Sequence, residues 1–190
     1  MTMEFAGWQS MVEQCEAILV RRTGTSSTDW AQRLQDEQIT DQRAARDWLT
    51  AQGVGGRGQD AVIWAAFGLP EYFTASGDEL LDAQYADRPA LRPIADAVFA
   101  AVADWPGLAF QARKTYVALR TPRRMFAQVV PATKSRVDVR LRLEVPASER
   151  VEVLAPRRDQ PLDRRVRLAA AEEVDDEVVE LLRQAFTASS

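Results

Sequence analysis

The arginine-rich segments of the C-terminal half contain the side chains best suited to bind a ligand. Residues 136 to 145 alternate charged and apolar side chains without a break, so a β-strand here places all of its charges on one face. Predicted strands at residues 114 to 119 and 124 to 130 precede it and are expected to lie beside it. The candidate ligand-binding residues on or next to these strands are Lys114, Tyr116, Arg120, Phe126, Arg136, Asp138 and Arg140.

These residue types favour an anionic ligand. A guanidinium group donates two parallel hydrogen bonds to a phosphate or a carboxylate, and a nearby ammonium group adds positive charge. The other interpretation is a ladder of ion pairs across the strands, in which the arginines pair with Asp138 and Glu144. Residues 113 to 167 carry 15 basic and 6 acidic side chains, so ion pairs within this segment cannot neutralise all of its positive charge.

The excess positive charge must face solvent, a partner or the acidic N-terminal half. Residues 1 to 90 carry 14 acidic side chains and 7 arginines, so charge divides along the chain. The predicted partner of the basic strands is an anionic small molecule or an acidic protein segment. The intramolecular alternative is that the acidic N-terminal part covers the basic sheet.

The chain contains no histidine, which excludes whole classes of enzymes. Without histidine there is no Ser-His-Asp triad, no Cys-His pair and no histidine-ligated metal. Lys114 and Lys134 are the only lysines beside 22 arginines, so almost all of the positive charge is unsuited to act as a base. We predict no catalytic residues, no metal site and no cofactor. The remaining enzymatic alternative is a magnesium-dependent hydrolase that uses carboxylates such as Asp138 and Glu144.

A glycine-rich turn supports nucleic-acid binding as a further alternative. Gly55, Gly56, Arg57 and Gly58 join two predicted helices. Backbone amides at a helix N-terminus can bind a DNA phosphate, and the basic strands would assist. The structural interpretation of the same residues is a plain connecting turn.

The composition is that of an ordinary folded protein of 190 residues, with 46% hydrophobic and 27% charged side chains. No segment approaches the roughly 20 apolar residues of a membrane span, and the first residues lack the pattern of a secretory signal. We therefore expect a cytoplasmic protein without membrane association. Cys15 is the only cysteine, and its helical register predicts a buried packing residue.

The hydrophobic periodicity predicts an α+β protein. A small helical domain is expected at residues 1–75, followed at residues 76–88 by a linker with one short helix. Residues 89–190 are expected to form an antiparallel sheet domain with an N-terminal and a C-terminal helix. The individual predictions are helices at residues 3–22, 27–34, 41–53, 58–67, 89–105 and 172–187, and further strands at residues 150–154 and 164–168.

Short motifs along the chain occur in the order in which two known families have them. In the C-terminal part they are Leu91-Arg-Pro-Ile94, Lys114-Thr-Tyr-Val-Ala-Leu119, Phe126-Ala-Gln128, Pro131-Ala-Thr-Lys134, Arg136-Val-Asp138, Pro146-Ala147 and Leu182-Arg-Gln-Ala-Phe186. Through them this part resembles domain of unknown function 5655. The N-terminal part is similar to domain of unknown function 4287, through Trp30, Trp48-Leu49, the glycine turn and Leu81-Asp-Ala-Gln-Tyr85.

The resemblance covers most of the chain from about residue 20 and implies an uncharacterised bacterial two-domain protein. It implies no activity. A nuclease-type metal site needs a Glu-x-Lys or Asp-x-Lys step, whereas Ala112 and Arg113 precede Lys114 here. The sequence thus favours a non-enzymatic binding or regulatory module, with nucleic-acid binding, hydrolysis and intramolecular docking as alternatives, and it leaves the oligomeric state open.

Overall fold

The computed structural model describes residues 3–155 and 162–190, and the chain divides into two compact units. The helical unit is Trp8–Ala75. The sheet unit combines Met1–Gly7 with Ser76–Ser190. Helices and a mostly antiparallel sheet are both present, which confirms the predicted α+β class.

Two helices of the helical unit begin at side-chain caps that the sequence provides. Ser26 Oγ accepts a hydrogen bond from a first-turn amide of one helix, and Asp41 Oδ1 accepts two such bonds in the next. Cys15 lies in the shared core and is 1% exposed, as predicted. Burial and, next, the Asp60 carboxylate raise the pKa of its thiol, so the thiolate is disfavoured. The helices are α1 (Gln9–Thr23), α2 (Ser27–Asp36), α3 (Gln42–Ala51), α4 (Arg57–Phe67) and α5 (Glu71–Thr74).

The first helix is shorter than the periodicity predicts. It starts at Gln9, whereas Phe5–Ala6 form a short strand, β1, of the sheet unit. The Phe5 ring packs against Phe99 and Phe110 there, and this tertiary contact outweighs the helical pattern of the first residues.

The sheet unit contains one sheet, to which six strands besides β1 belong in the described part of the chain: β2 (Ala109–Ala112), β3 (Val117–Arg120), β4 (Met125–Pro131), β5 (Val137–Leu141), β6 (Glu152–Val153) and β7 (Arg164–Leu168). Their order in the sheet is β1-β2-β3-β4-β5-β7-β6. Among these described strands, only the β1–β2 pair is parallel. The hairpin predicted at residues 121 to 124 joins β3 and β4, and Thr121 Oγ1 accepts two amide hydrogen bonds within it.

One face of the sheet, the core face, packs against helices. These are α6 (Gly77–Tyr85), α7 (Arg92–Val102) and α8 (Asp176–Ser189), with short 3-10 turns before α7 and α8. Val139 and Leu141 of β5 lie in this core with Phe99 of α7 and Leu182 of α8. The predicted alternation of the β5 segment is therefore confirmed, although the strand ends at Leu141 and not at residue 145.

Residues 76–88 are part of the sheet unit, where the sequence predicts a linker. Ser76 and Glu79 form a capping box at the start of α6, and Leu81 and Tyr85 lie in the core against the sheet. Gly77 is required because the chain approaches β1 closely here: a Cβ atom at this position would lie 1.7 Å from the Phe5 carbonyl oxygen. The start of α6 therefore packs directly against the backbone of β1.

The opposite, outer face of the sheet carries a cluster of ion pairs. Asp138 is 1% exposed and pairs with Arg136 at 3.0 Å and with Arg165 at 3.2 Å. Glu152 pairs with Arg165 and with Arg167, both at 2.6 Å. The hydrogen bond from Arg165 lowers the pKa of Glu152. We call these five residues the arginine–carboxylate cluster; three guanidinium groups share two carboxylates.

Phe126 lies on the core face, whereas strict alternation would place it with Gln128 and Arg140 on the outer face. The register between β3 and β4 shifts between Leu119 and Arg120, so Phe126 and Ala127 both point into the core. The Phe126 ring is fully buried and lies 5.4 Å from the Phe186 ring, centroid to centroid. The burial of this ring in the core contradicts the prediction that Phe126 contacts a ligand on the outer face.

Replacement of Gly77 by alanine should destabilise the sheet unit. The added methyl group cannot fit beside the Phe5 carbonyl, so β1 must move away from α6, at a cost of about 2–3 kcal/mol of unfolding free energy. Urea unfolding measures this loss. Gly55→Ala is the control, because a Cβ atom there meets nothing within 4 Å, and its change should stay within about 0.5 kcal/mol. Equal effects of the two substitutions would contradict the close approach.

Asp138→Asn should also destabilise the sheet unit, because it leaves Arg136 and Arg165 beside a neutral side chain inside the cluster. We expect a loss of about 3 kcal/mol in urea unfolding. Asp82→Asn is the matched control: Asp82 pairs with Arg92 but is 73% exposed, and its loss should be below about 1 kcal/mol. A small effect at both positions would show that the buried pair contributes little.

Candidate functional site

A pocket of about 430 Å³ lies within the sheet unit. It is formed where the end of α6 and the residues after it meet the β2–β3 turn, the end of β4 and the outer face of β5. Its volume is in the range of small-molecule sites. The lining residues are Ala83, Gln84, Asp87, Arg88, Lys114, Thr115, Val130, Pro131, Ala132 and Arg140.

Gln84 joins α6 to the β2–β3 turn at one side of the pocket. Its Nε2 donates to the carbonyl oxygens of Arg113 and Tyr116, at 2.8 and 3.2 Å. The turn itself is closed by the Arg113 amide, which donates to the Tyr116 carbonyl at 2.9 Å. Gln84 is 6% exposed, and its Oε1 is buried without a hydrogen-bond partner among the described residues.

Arg88 joins the segment after α6 to the end of β4. Its Nη1 donates to the Pro131 carbonyl at 2.8 Å, and its Nε and Nη2 donate to both carboxylate oxygens of Asp87, at 2.7 and 3.1 Å. These hydrogen bonds from Arg88 lower the pKa of Asp87, which therefore stays ionised. Gln84 and Arg88 together hold the helical wall of the pocket against the sheet.

Arg140 supplies a guanidinium group from the outer face of β5. Its neighbours across the sheet are Gln128 on β4 and Arg165 on β7, neither of which is an anion. The nearby carboxylates, Asp138 and Glu152, form ion pairs with the other arginines of the arginine–carboxylate cluster. Arg140 makes no ion pair with a described residue, and its Nε is buried without a hydrogen-bond partner there.

The formal charge of the pocket is positive. Asp87 and Arg88 neutralise each other, and the other charged lining residues, Lys114 and Arg140, are both cationic. The Thr115 hydroxyl adds a donor and acceptor at the same turn. A group with negative charge and hydrogen-bond acceptors matches this lining.

The structure brings two of the predicted site residues together and separates the others. Lys114 and Arg140 line the pocket, whereas Arg136 and Asp138 belong to the cluster. Tyr116 contributes its main-chain carbonyl to the turn and is not among the lining residues. Arg120 ends β3 beside the hairpin turn, at the far end of the strand from the pocket.

Sequence reasoning missed the contribution of Gln84, Asp87 and Arg88. All three lie in the segment interpreted as a linker, where composition indicates only a boundary. The available signal was the motif Leu81-Asp-Ala-Gln-Tyr85, which contains Gln84 and leads into the second domain.

The glycine turn has the geometry of a tight connection between α3 and α4. Gly56 has a φ of 59° and precedes the first residue of α4, a conformation that favours glycine. Gly58 is buried against Leu19, whereas Gly55 and Arg57 are exposed. The Gln59 side chain donates to the Val54 carbonyl at 2.9 Å and so holds the turn.

The residues named for the hydrolase alternative do not converge. Asp138 is committed to its two arginines, and Glu144 is exposed beyond the end of β5. Within residues 3–155 and 162–190, no three histidine, cysteine, aspartate or glutamate side chains are grouped so that they could hold a metal ion. No helix of the described chain has the length and apolar character required to cross a membrane.

Comparison with protein families gives a match over the sheet unit. Residues 81–189 match the family described as domain of unknown function 5655, and all the lining residues of the pocket fall in this range. No curated protein and no solved structure matches the chain. Since the match begins at residue 81, the resemblance of the N-terminal part to domain of unknown function 4287 stays a prediction. Because the match covers more than half of its residues, the chain belongs to the domain of unknown function 5655 family.

Proposed function

We propose that the sheet unit is a non-enzymatic binding module that takes an anionic group in the pocket beside Arg140. The observation that carries this proposal is that the Arg140 side chain lines the pocket and makes no ion pair with a described residue. A guanidinium group at a pocket wall offers several N–H donors and a permanent positive charge to an anion.

The cluster beside the pocket distinguishes Arg140 from the three paired arginines on the same face of the sheet. Asp138 and Glu152 hold Arg136, Arg165 and Arg167 in fixed ion pairs, which fits the ladder interpretation for that part of the outer face. Arg140 lies next to this ladder but outside it. An incoming anion would therefore pair with Arg140 without breaking an existing ion pair.

The shape of the site favours a small anion or a single anionic group over an extended acidic segment. The pocket is bounded by α6 on one side and by the β2–β3 turn and the end of β4 on the others. A phosphate or carboxylate could receive two parallel hydrogen bonds from Arg140 and charge from Lys114. The apolar side chains of Val130 and Pro131 would contact the rest of a larger ligand.

Arg140→Gln should weaken anion binding. We expect at least a tenfold rise in the dissociation constant for inorganic phosphate, measured by calorimetry at low ionic strength, because the charged donor is removed. The control is Arg123→Gln, which removes the same charge from an exposed position in the β3–β4 turn and should change the constant less than twofold.

Two results would overturn the proposal. One is that the unmodified protein binds neither phosphate, sulfate nor a small carboxylate at low ionic strength. The other is that both substitutions weaken binding equally, since that would indicate general electrostatic attraction and not a site at Arg140. Oligonucleotide binding that survives Arg140→Gln and is lost in Arg57→Gln would instead favour the glycine turn and nucleic acid.

A further inference from the structure

The pocket is larger than the anionic group that Arg140 can bind. Its volume of about 430 Å³ corresponds to roughly fourteen water molecules, at about 30 Å³ for each. An inorganic oxyanion fills only a small part of this space. The rest of the pocket therefore has room for an organic group attached to the anion.

Aliphatic side chains line the pocket next to Arg140. Val130 of β4 pairs with Asp138 of β5, so Arg140, two residues further along β5, is its diagonal neighbour on the outer face. Diagonal neighbours of this kind have their Cβ atoms roughly 7 Å apart. Val130 is half-buried, so part of its surface remains accessible to a ligand. The other aliphatic lining residues are Ala83, Pro131 and Ala132.

The polar side chains of the helical wall are already bonded within the protein. Gln84 donates to two carbonyl oxygens of the β2–β3 turn, and its side-chain oxygen is buried and offers no surface to a ligand. Arg88 donates to Asp87 and to the Pro131 carbonyl. The ionised Asp87 carboxylate repels a second anionic group. This wall therefore offers little to a chain of hydroxyl groups and opposes a ligand with two anionic ends.

Among the described residues that line the pocket, none is phenylalanine, tyrosine or tryptophan. Nucleobases are commonly bound by stacking on aromatic side chains. Tyr116, in the adjoining turn, is not part of the lining. A nucleotide thus finds no aromatic surface here, whereas an aliphatic chain finds the side chains beside Arg140.

We infer that the pocket takes an organic anion with one anionic head group and a short aliphatic chain, such as a simple alkyl phosphate or a small aliphatic carboxylate. This inference rests on the proposed function. The head group would accept hydrogen bonds from Arg140, and the chain would lie against Val130, Pro131 and Ala132. Burial of this apolar surface supplies affinity that an inorganic ion cannot obtain.

Methyl phosphate and propyl phosphate test the inference on the unmodified protein, because they share a head group and differ only in chain length. In a partly open pocket each buried methylene group should raise the affinity about threefold, so we expect propyl phosphate to bind about tenfold more tightly by calorimetry. Glycerol 3-phosphate and adenosine monophosphate should both bind more weakly than propyl phosphate. Acetate and butyrate repeat the comparison and show whether the site prefers a carboxylate or a phosphate head group.

Val130→Thr places a hydroxyl group where the chain is expected to lie. It should reduce the preference for propyl over methyl phosphate from about tenfold to about threefold or less. The matched control is Val153→Thr, at an exposed position of β6 outside the pocket, and it should retain the full preference. If Val130→Thr fails to fold, the comparison of chain lengths on the unmodified protein still decides.

The outcomes separate the two proposals. Equal affinity within both the phosphate and the carboxylate pair overturns the inference about the chain and leaves the anion site intact. Tighter binding of glycerol 3-phosphate or adenosine monophosphate than of propyl phosphate also overturns it. So does a preference that persists unchanged in a folded Val130→Thr protein, because the chain would then lie elsewhere. Absence of binding for all of these probes and for inorganic phosphate overturns the anion site itself.

Discussion

The pairing of Asp138 with two arginines is the interaction on which the outer face of the sheet depends. Asp138 is 1% exposed, and Arg136 and Arg165 supply the partners that such a buried carboxylate requires. Glu152 extends the arrangement to the far edge of the sheet through Arg165 and Arg167. With both carboxylates committed, Arg140 on the same face makes no ion pair with a described residue.

The second constraint is the attachment of α6 to the sheet. Gly77 lets the start of the helix approach the backbone of β1, Gln84 bonds to the β2–β3 turn, and Arg88 bonds to the end of β4. These three contacts place one wall of the pocket. The segment that forms the wall is therefore part of the packed unit, and its polar side chains are held in position by main-chain acceptors. A site that is preorganised in this way binds its ligand with a smaller loss of conformational entropy.

The secondary structure of the C-terminal half follows closely from local pattern. The alternation at β5, the hairpin turn at Thr121 and the acidic start of α8 each have a local physical cause. The first two appear where the pattern predicts them, whereas α8 begins at Asp176 and not at residue 172, because residues 171–173 form a separate 3-10 turn. The two strands that local pattern did not predict also have a physical explanation. The β1 and β2 segments are short and carry no alternation of charge, so only their pairing with each other and with β3 makes them strands.

By itself, the sequence determined the fold class, the basic character of the sheet and the set of arginines on its outer face. These properties depend on periodicity and composition, which are local. Only the tertiary structure decided that Arg140 has no carboxylate partner among the described residues, because ion pairing depends on neighbours across strands that are far apart in the chain, such as Asp138 and Arg165. It also decided the side on which Phe126 lies, because one register shift between β3 and β4 turns that ring into the core. The position of Gln84 in the pocket also depends on contacts that are distant in the chain. Its hydrogen-bond partners, Arg113 and Tyr116, follow it by about 30 residues, and no local pattern connects them.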